Sequence, residues 1–205
     1  MKFVLFVEGH TEQIAVPYFL QRWLNRRLSK NIGIKSVRFQ GWPEMINDMP
    51  KKANMYLDRY KDVIAVLGLM DLYGPTFYPQ DKLTVEERLK WAAQNIEEKV
   101  GLDKFRIFFA VHDIEAWLLS DPNIFPIEVR KAFPSGMNPE KVNFCEPPSK
   151  LLDRIYYQKT RRKYKKRVFG RALFAKLDPE LAYNKCPNLK SMLDEMLRMA
   201  KESGL

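Results

Sequence analysis

The chain's 205 residues, 46% hydrophobic and 13% aromatic, supply enough apolar surface for one domain, or one domain with a helical extension, and exclude wholesale disorder. No apolar run approaches the ~18–20 residues of a membrane span, and the stretch after Met1 meets Glu8 too soon for a signal-peptide core, so the expected setting is the cytoplasm with no membrane partner. The net charge of +10 is unevenly spread: residues 1–120 carry 17 basic and 15 acidic side chains, residues 121–205 carry 18 and 10, which makes the C-terminal part a candidate surface for a polyanion or a well-solvated basic face.

Phe3 to Val7 is a short uninterrupted apolar run closed by Glu8-Gly9, the pattern of a strand buried on both faces. Leu20, Trp23, Leu24 and Leu28 recur at helical spacing, and Pro17 predicts a helix that starts late or bends near its beginning. Val37 and Phe39 mark a weaker strand, followed by a polar, helix-compatible segment from about Pro43 to Tyr60. Val63 to Met70 is a second continuous apolar run, ended by Asp71 and a turn-rich loop holding Gly74, Pro75 and Pro79. Thr84 and Glu87 then have capping-box spacing, Leu89, Ala93, Ile96 and Val100 form one stripe, and Gly101 suits a C-terminal cap. Phe105 to Val111 predicts another buried strand, running into His112-Asp113-Ile114-Glu115.

Buried strands alternating with helices predict an α/β fold with a mostly parallel, doubly wound sheet. Beyond residue 120 the prolines at 122, 126, 134, 139, 147 and 148 argue against long elements. Ser149 to Tyr157 fits a short helix, and Leu189, Met192, Leu193, Met196 and Ala200 a final one. The expected organisation is an α/β core over 1–121 with a proline-interrupted, basic, mostly helical extension over 122–205 packed on it.

Acidic residues follow three of the strands: Glu8 and Glu12 the first, Asp71 the third, Asp113 and Glu115 the fourth. Open parallel sheets bind ligands at that carboxyl edge. Crowded carboxylates raise one another's pKa unless a cation is present, and an oxygen-rich cluster suits Mg²⁺ or Mn²⁺. Both histidines, His10 and His112, fall in the same loops, as ligand, general base or phosphate contact. Taken singly, Glu12 and Asp113 also suit the first turn of a helix as ordinary acids.

Competing chemistries lack support: the chain has no GxxxxGK[ST] loop, no GxGxxG and no GxSxG, and Cys145 and Cys186 offer neither a disulfide framework nor zinc spacing. The run Lys159, Arg161, Arg162, Lys163, Lys165, Lys166 and Arg167, with Arg171 beyond it, is a candidate nucleic-acid contact through counterion release. Tyr156, Tyr157, Tyr164 and Phe169 are interleaved with it, either to stack on unpaired bases or to pack against the sheet.

Glu8-Gly9-His10-Thr11-Glu12 resembles the EGxTE opening of Toprim-type nuclease domains, the fold of topoisomerases, primases and the overcoming-lysogenization-defect nucleases. Asp71-Leu72-Tyr73-Gly74, His112-Asp113-Ile114-Glu115-Ala116-Trp117-Leu118, Pro148-Ser149-Lys150 and Asn184-Lys185-Cys186-Pro187 extend the likeness to one group of mostly bacterial Toprim-like proteins. The resemblance implies a Rossmann-like Toprim fold and metal-dependent phosphodiester chemistry. Glu8 would match the glutamate that assists proton transfer or holds metal, Glu12 the second glutamate of the nuclease branch, and Asp71 the first aspartate of DxD. Tyr73 replaces the second aspartate, so a metal held there needs Glu115 or Asp113, or is absent. By analogy the resemblance also implies a role in phage defence, with a partner protein of such a system.

The sequence thus predicts a Mg²⁺- or Mn²⁺-dependent nuclease-like hydrolase acting on DNA or RNA. Glu8, Asp71, Asp113 and Glu115 are its candidate ligands, and Glu8, Glu12, Asp71, His112 and Glu115 its candidate catalytic groups. The alternative is a catalytically silent module that binds nucleic acid or a partner. Hydrolysis or phosphotransfer on a small nucleotide would use the same acids without the basic run.

Overall fold

A computed structural model of the chain describes residues 1–141 and 146–205; Cys145 lies outside the described residues. Strands β1 (Lys2–Val7), β2 (Gly33–Arg38), β3 (Val63–Asp71) and β4 (Phe105–Ala110) form one sheet in the order β2-β1-β3-β4, parallel throughout. This is the expected α/β class. Helices α1 (His10–Leu24), α2 (Trp42–Arg59) and α3 (Val85–Val100) connect the strands. Then come α4 (Glu115–Leu119), α5 (Ile127–Arg130), α6 (Pro148–Thr160), α7 (Lys166–Lys176), α8 (Pro179–Lys185) and α9 (Pro187–Glu202). Among the described residues no helix is long and apolar enough to cross a membrane.

Alternation along β1 divides the interior into two layers. Val4 and Phe6 face α2 and α3 together with Val66, Met70, Ile107 and Phe109. Phe3, Leu5 and Val7 face α1 and the C-terminal helices, sharing one core with Trp117, Leu152, Phe174, Leu193 and Met196. Residues beyond 121 therefore fill one side of the same core that covers the sheet.

Three differences from the sequence expectations have physical causes. First, α1 does not start late. It begins at His10 and runs through Pro17, which cannot donate to the carbonyl of Gln13. The Ser36 hydroxyl donates to that oxygen instead, at 2.8 Å, so β2 repairs the gap. Second, of the prolines expected to argue against long elements, Pro148 opens the 13-residue α6, where a missing N–H costs nothing; Pro179 and Pro187 open α8 and α9 in the same way. Third, the basic run is not a single exposed stretch. It closes α6, turns through a left-handed Arg161, and opens α7. The helix over Val85–Val100 follows the sequence, with a complete Thr84–Glu87 capping box and a left-handed Gly101.

Ser36→Ala should cost about 1 kcal/mol, roughly 2–4 °C in Tm for a chain of this size. In a Pro17→Ala background, which restores the helical N–H, the loss should shrink. Equal losses in both backgrounds, measured by thermal melts of the four proteins, would refute the repair.

Candidate active site

β1 and β3 are the adjacent strands from which the connections run in opposite directions, to β2 on one side and β4 on the other. A crevice opens at the carboxyl ends of such a pair. Here it is a cleft of about 360 Å³, lined by Glu8, His10, Thr11, Glu12, Asp71, Lys166 and Arg167. Glu8 follows β1, Glu12 stands in the first turn of α1, Asp71 ends β3, and Glu115 opens α4.

Gly9 leaves room for Glu12. A Cβ there would collide with the Glu12 carboxylate, which folds back over the start of α1. Asp71 is tied on both sides: its N–H donates to Glu8 Oε1 at 3.0 Å, and its Oδ1 accepts from the Ile114 N–H at 3.2 Å. The loop after β4 is held by Tyr73 N–H donating to the His112 carbonyl at 2.8 Å. His112 has a left-handed φ of 67° and is buried, a conformation that costs energy outside glycine. Asp113 Oδ2 accepts from the Ser149 N–H at 3.1 Å, joining this loop to α6.

A residue from the basic run completes the cluster. Lys166 Nζ lies 2.7 Å from Glu12 Oε1, 3.2 Å from Glu115 Oε2 and 3.7 Å from Asp71 Oδ2. Gly170 lets α7 come this close, because a Cβ there would stand 2.6 Å from Thr11 Cγ2. Phe19 of α1 and Phe174 of α7, each about two turns beyond the ion-paired residue of its helix, pack ring to ring with each other and with Trp117 of α4, two residues after Glu115, with centroids 5.6–6.3 Å apart. Such pairs contribute about 0.5–1.5 kcal/mol each beyond the area buried. They join the three helices that carry Glu12, Glu115 and Lys166.

The electrostatics follow from burial. Glu115 is fully buried, and desolvation pushes its carboxyl up to about 7 against the pull of Lys166. Glu8 is also pushed up to about 7, mainly by burial and partly by Glu12, against hydrogen bonds from the backbone of Asp71 and Trp42. Burial holds Asp71 well above the usual carboxylate range, and Asp113 is raised for the same reason. Burial alone would lower Lys166, but Asp71, Glu115 and Glu12 outweigh it and hold the ammonium firmly charged. One cation thus serves several acids, and Glu12 Oε2 and Asp113 Oδ1 remain buried without a hydrogen-bond partner.

The donor set matches a hard divalent cation in kind: carboxylate oxygens, of which Glu12 Oε2 and Asp113 Oδ1 are buried without a hydrogen-bond partner. In distance it does not yet do so. Among the described residues no three His, Cys, Asp or Glu side chains are drawn together as a metal site. The carboxylates stand 2.7–3.7 Å from an ammonium nitrogen, whereas Mg²⁺ needs about 2.0–2.1 Å.

The expected site residues therefore divide. Glu12, Asp71 and Glu115 converge on Lys166, Glu8 joins them through the Asp71 N–H, Asp113 bonds to α6, His112 is buried, and His10 is exposed at the rim. Lys159, Arg161, Arg162, Lys163, Lys165, Arg167 and Arg171 are exposed. Lys166 departs from the outward row expected of it, because it is ion-paired inside the cleft. Of the interleaved aromatics, Tyr156 and Tyr164 are core residues rather than open stacking platforms, and the Tyr164 hydroxyl lies 3.3 Å from Glu115 Oε1. The signal for Lys166 was present in helical spacing: Lys166, Gly170, Leu173 and Phe174 share the face that α7 turns inward.

Because Glu8 titrates near 4.5 when unfolded and near 7 when folded, the unfolded chain holds fewer protons between those values. The metal-free protein should therefore lose stability as pH rises from about 4.5 to 7 and level off above. Glu8→Gln should flatten part of that fall and raise Tm at pH 8 by roughly 2–4 °C or more. Identical Tm–pH curves for the two proteins would contradict the assignment.

No curated protein matches the chain. Among solved structures, the C-terminal region of the Xanthomonas campestris pv. campestris OLD protein is similar at 16% identity and a TM-score of 0.46, covering 98% of this chain and 94% of that one. The C-terminal region of the Burkholderia pseudomallei OLD protein is similar at 14% identity and a TM-score of 0.45, covering 95% and 98%. The family described as "Domain of unknown function (DUF4276)" matches residues 7–197, and the chain belongs to it.

Proposed function

We propose that the protein is a Mg²⁺- or Mn²⁺-dependent phosphodiester hydrolase acting on nucleic acid. The observation that carries the reading is the convergence of Glu12, Asp71 and Glu115 on one cationic point in the switch-point cleft, with Glu8 bonded to the backbone of Asp71. The motif resemblance at Glu8–Glu12, Asp71 and His112–Leu118 supports it. A divalent cation held by Glu12, Asp71 and Glu115 would polarise a phosphate and activate a water. Glu8, with a carboxyl near 7, is matched to holding or passing a proton at neutral pH. Arg167 lines the cleft, and the exposed Arg161, Arg162, Lys163 and Lys165 lie on the turn leading into it, in position to follow a phosphate backbone.

The second reading, a catalytically silent binding module, draws on two observations. Lys166 already neutralises part of the acid cluster. Tyr73 stands where the resemblance expects a second aspartate, with its hydroxyl bonded to Lys150 Nζ at 3.1 Å. Cleavage separates the two. Under Mn²⁺ the parent should cut single-stranded or duplex substrate, and Glu115→Gln should lose about 10²-fold or more in rate while remaining folded. Equal cleavage by both proteins would remove the site from the reaction, and no cleavage by either would favour the silent module.

A further inference from the structure

Lys166 occupies the one point that Glu12, Asp71 and Glu115 share, from three different elements of the fold. An ammonium nitrogen and a metal ion cannot both stand there. An Mg²⁺ or Mn²⁺ bonded to these carboxylates would sit roughly 2 Å from each oxygen, inside the space that Nζ fills. Two like charges at that separation would also repel strongly. Charge favours the exchange, since a single monovalent ammonium faces three carboxyl groups, those of Glu12, Asp71 and Glu115. Glu12 Oε2 is buried with no hydrogen-bond partner while its other oxygen takes the ammonium, so the cluster keeps a donor in reserve.

Departure is also mechanically simple. Lys166 is the first residue of α7, its side chain is 31% exposed at the mouth of the cleft, and the residue before it supplies no side-chain cap. The body of α7 is fixed independently, by Gly170 against Thr11 and by Phe174 against Phe19 and Trp117. The four-carbon stem can therefore swing out without unseating the helix.

We propose that Lys166 is a built-in counter-ion that holds the place of a divalent cation in the metal-free protein and is displaced when the cation enters. This rests on the metal-dependent reading of the site, and it adds that the protein carries its own competitor for the metal. Emptying the site of metal then leaves the acids paired instead of exposed to mutual repulsion. It also follows by linkage that removing the ammonium strengthens metal binding to the degree that metal binding expels it.

The test uses the full chain and Mn²⁺ as the probe, with two readouts that do not depend on cleavage. Calorimetric titration compares the parent, Lys166→Met, and Lys176→Met as a charge-matched change at the far end of α7. Lys166→Met should bind Mn²⁺ at least about tenfold more tightly, within the range usual for coupled sites. It should also melt lower than the parent without metal and recover when metal is added. Lys176→Met should bind as the parent does. The second readout needs no variant, so it survives if Lys166→Met fails to fold: amine acetylation of the parent is followed residue by residue by mass spectrometry. Lys166 should be protected without metal and become at least about tenfold more reactive when Mn²⁺ saturates the site. Saturating Mn²⁺ with Lys166 equally protected overturns the displacement and leaves the metal-dependent reading standing. Absence of Mn²⁺ binding by the parent and by Lys166→Met alike overturns that reading and the displacement together.

Discussion

The ion pairing of Lys166 with Glu12, Glu115 and Asp71 is the constraint on which the carboxyl edge of this fold depends. Buried carboxylates are expensive unless paired, and removing one partner of a buried pair typically costs about 3–5 kcal/mol. Here the acids come from the first turn of α1, the end of β3 and the start of α4, and their counter-ion comes from α7. No continuous segment of the chain could assemble that set. The α/β elements supply the negative charge, and a helix from the C-terminal part supplies the positive.

The rest of the structure can be understood as the support for that pairing. Gly9 allows Glu12 to fold back, Gly170 allows α7 to approach α1, and the Phe19–Trp117–Phe174 contacts fix the distance between the helices. The sheet sets the depth, because β1 and β3 end side by side where their connections diverge. Apolar packing below and charge above are thus coupled through the same three helices. A change in either layer is felt in the other, so damage to the aromatic contacts would displace the ions carried by the same three helices.

Much of this was legible in the sequence. The strands ending in Glu8, Asp71 and the His112–Glu115 segment were marked by continuous apolar runs, and the helix between Thr84 and Gly101 by local capping chemistry. Local signals failed where a distant partner decided the outcome. Pro17 predicts a helix that starts late or bends near its beginning; α1 starts at His10, and a hydroxyl from β2 takes the place of the missing N–H. Lys166 is one cation among many in a basic run; its helical spacing to Gly170, Leu173 and Phe174 marks the inward face of α7, and the close approach of Gly170 to Thr11 brings that face to the acids. Tyr164 suits stacking or packing by its sequence alone, and it packs in the core with its hydroxyl toward Glu115. Charge composition reveals how many cations a segment holds, whereas tertiary packing selects which one faces the acids.

The most direct test is to locate the cation. Crystals soaked in Mn²⁺ should give an anomalous peak between Glu12, Asp71 and Glu115, at roughly 2.0–2.3 Å from their oxygens, with the Lys166 ammonium moved toward the mouth of the cleft. A saturating soak with no peak among these carboxylates, and Lys166 still bonded to Glu12, would contradict the assignment of this cluster as a cation-dependent site.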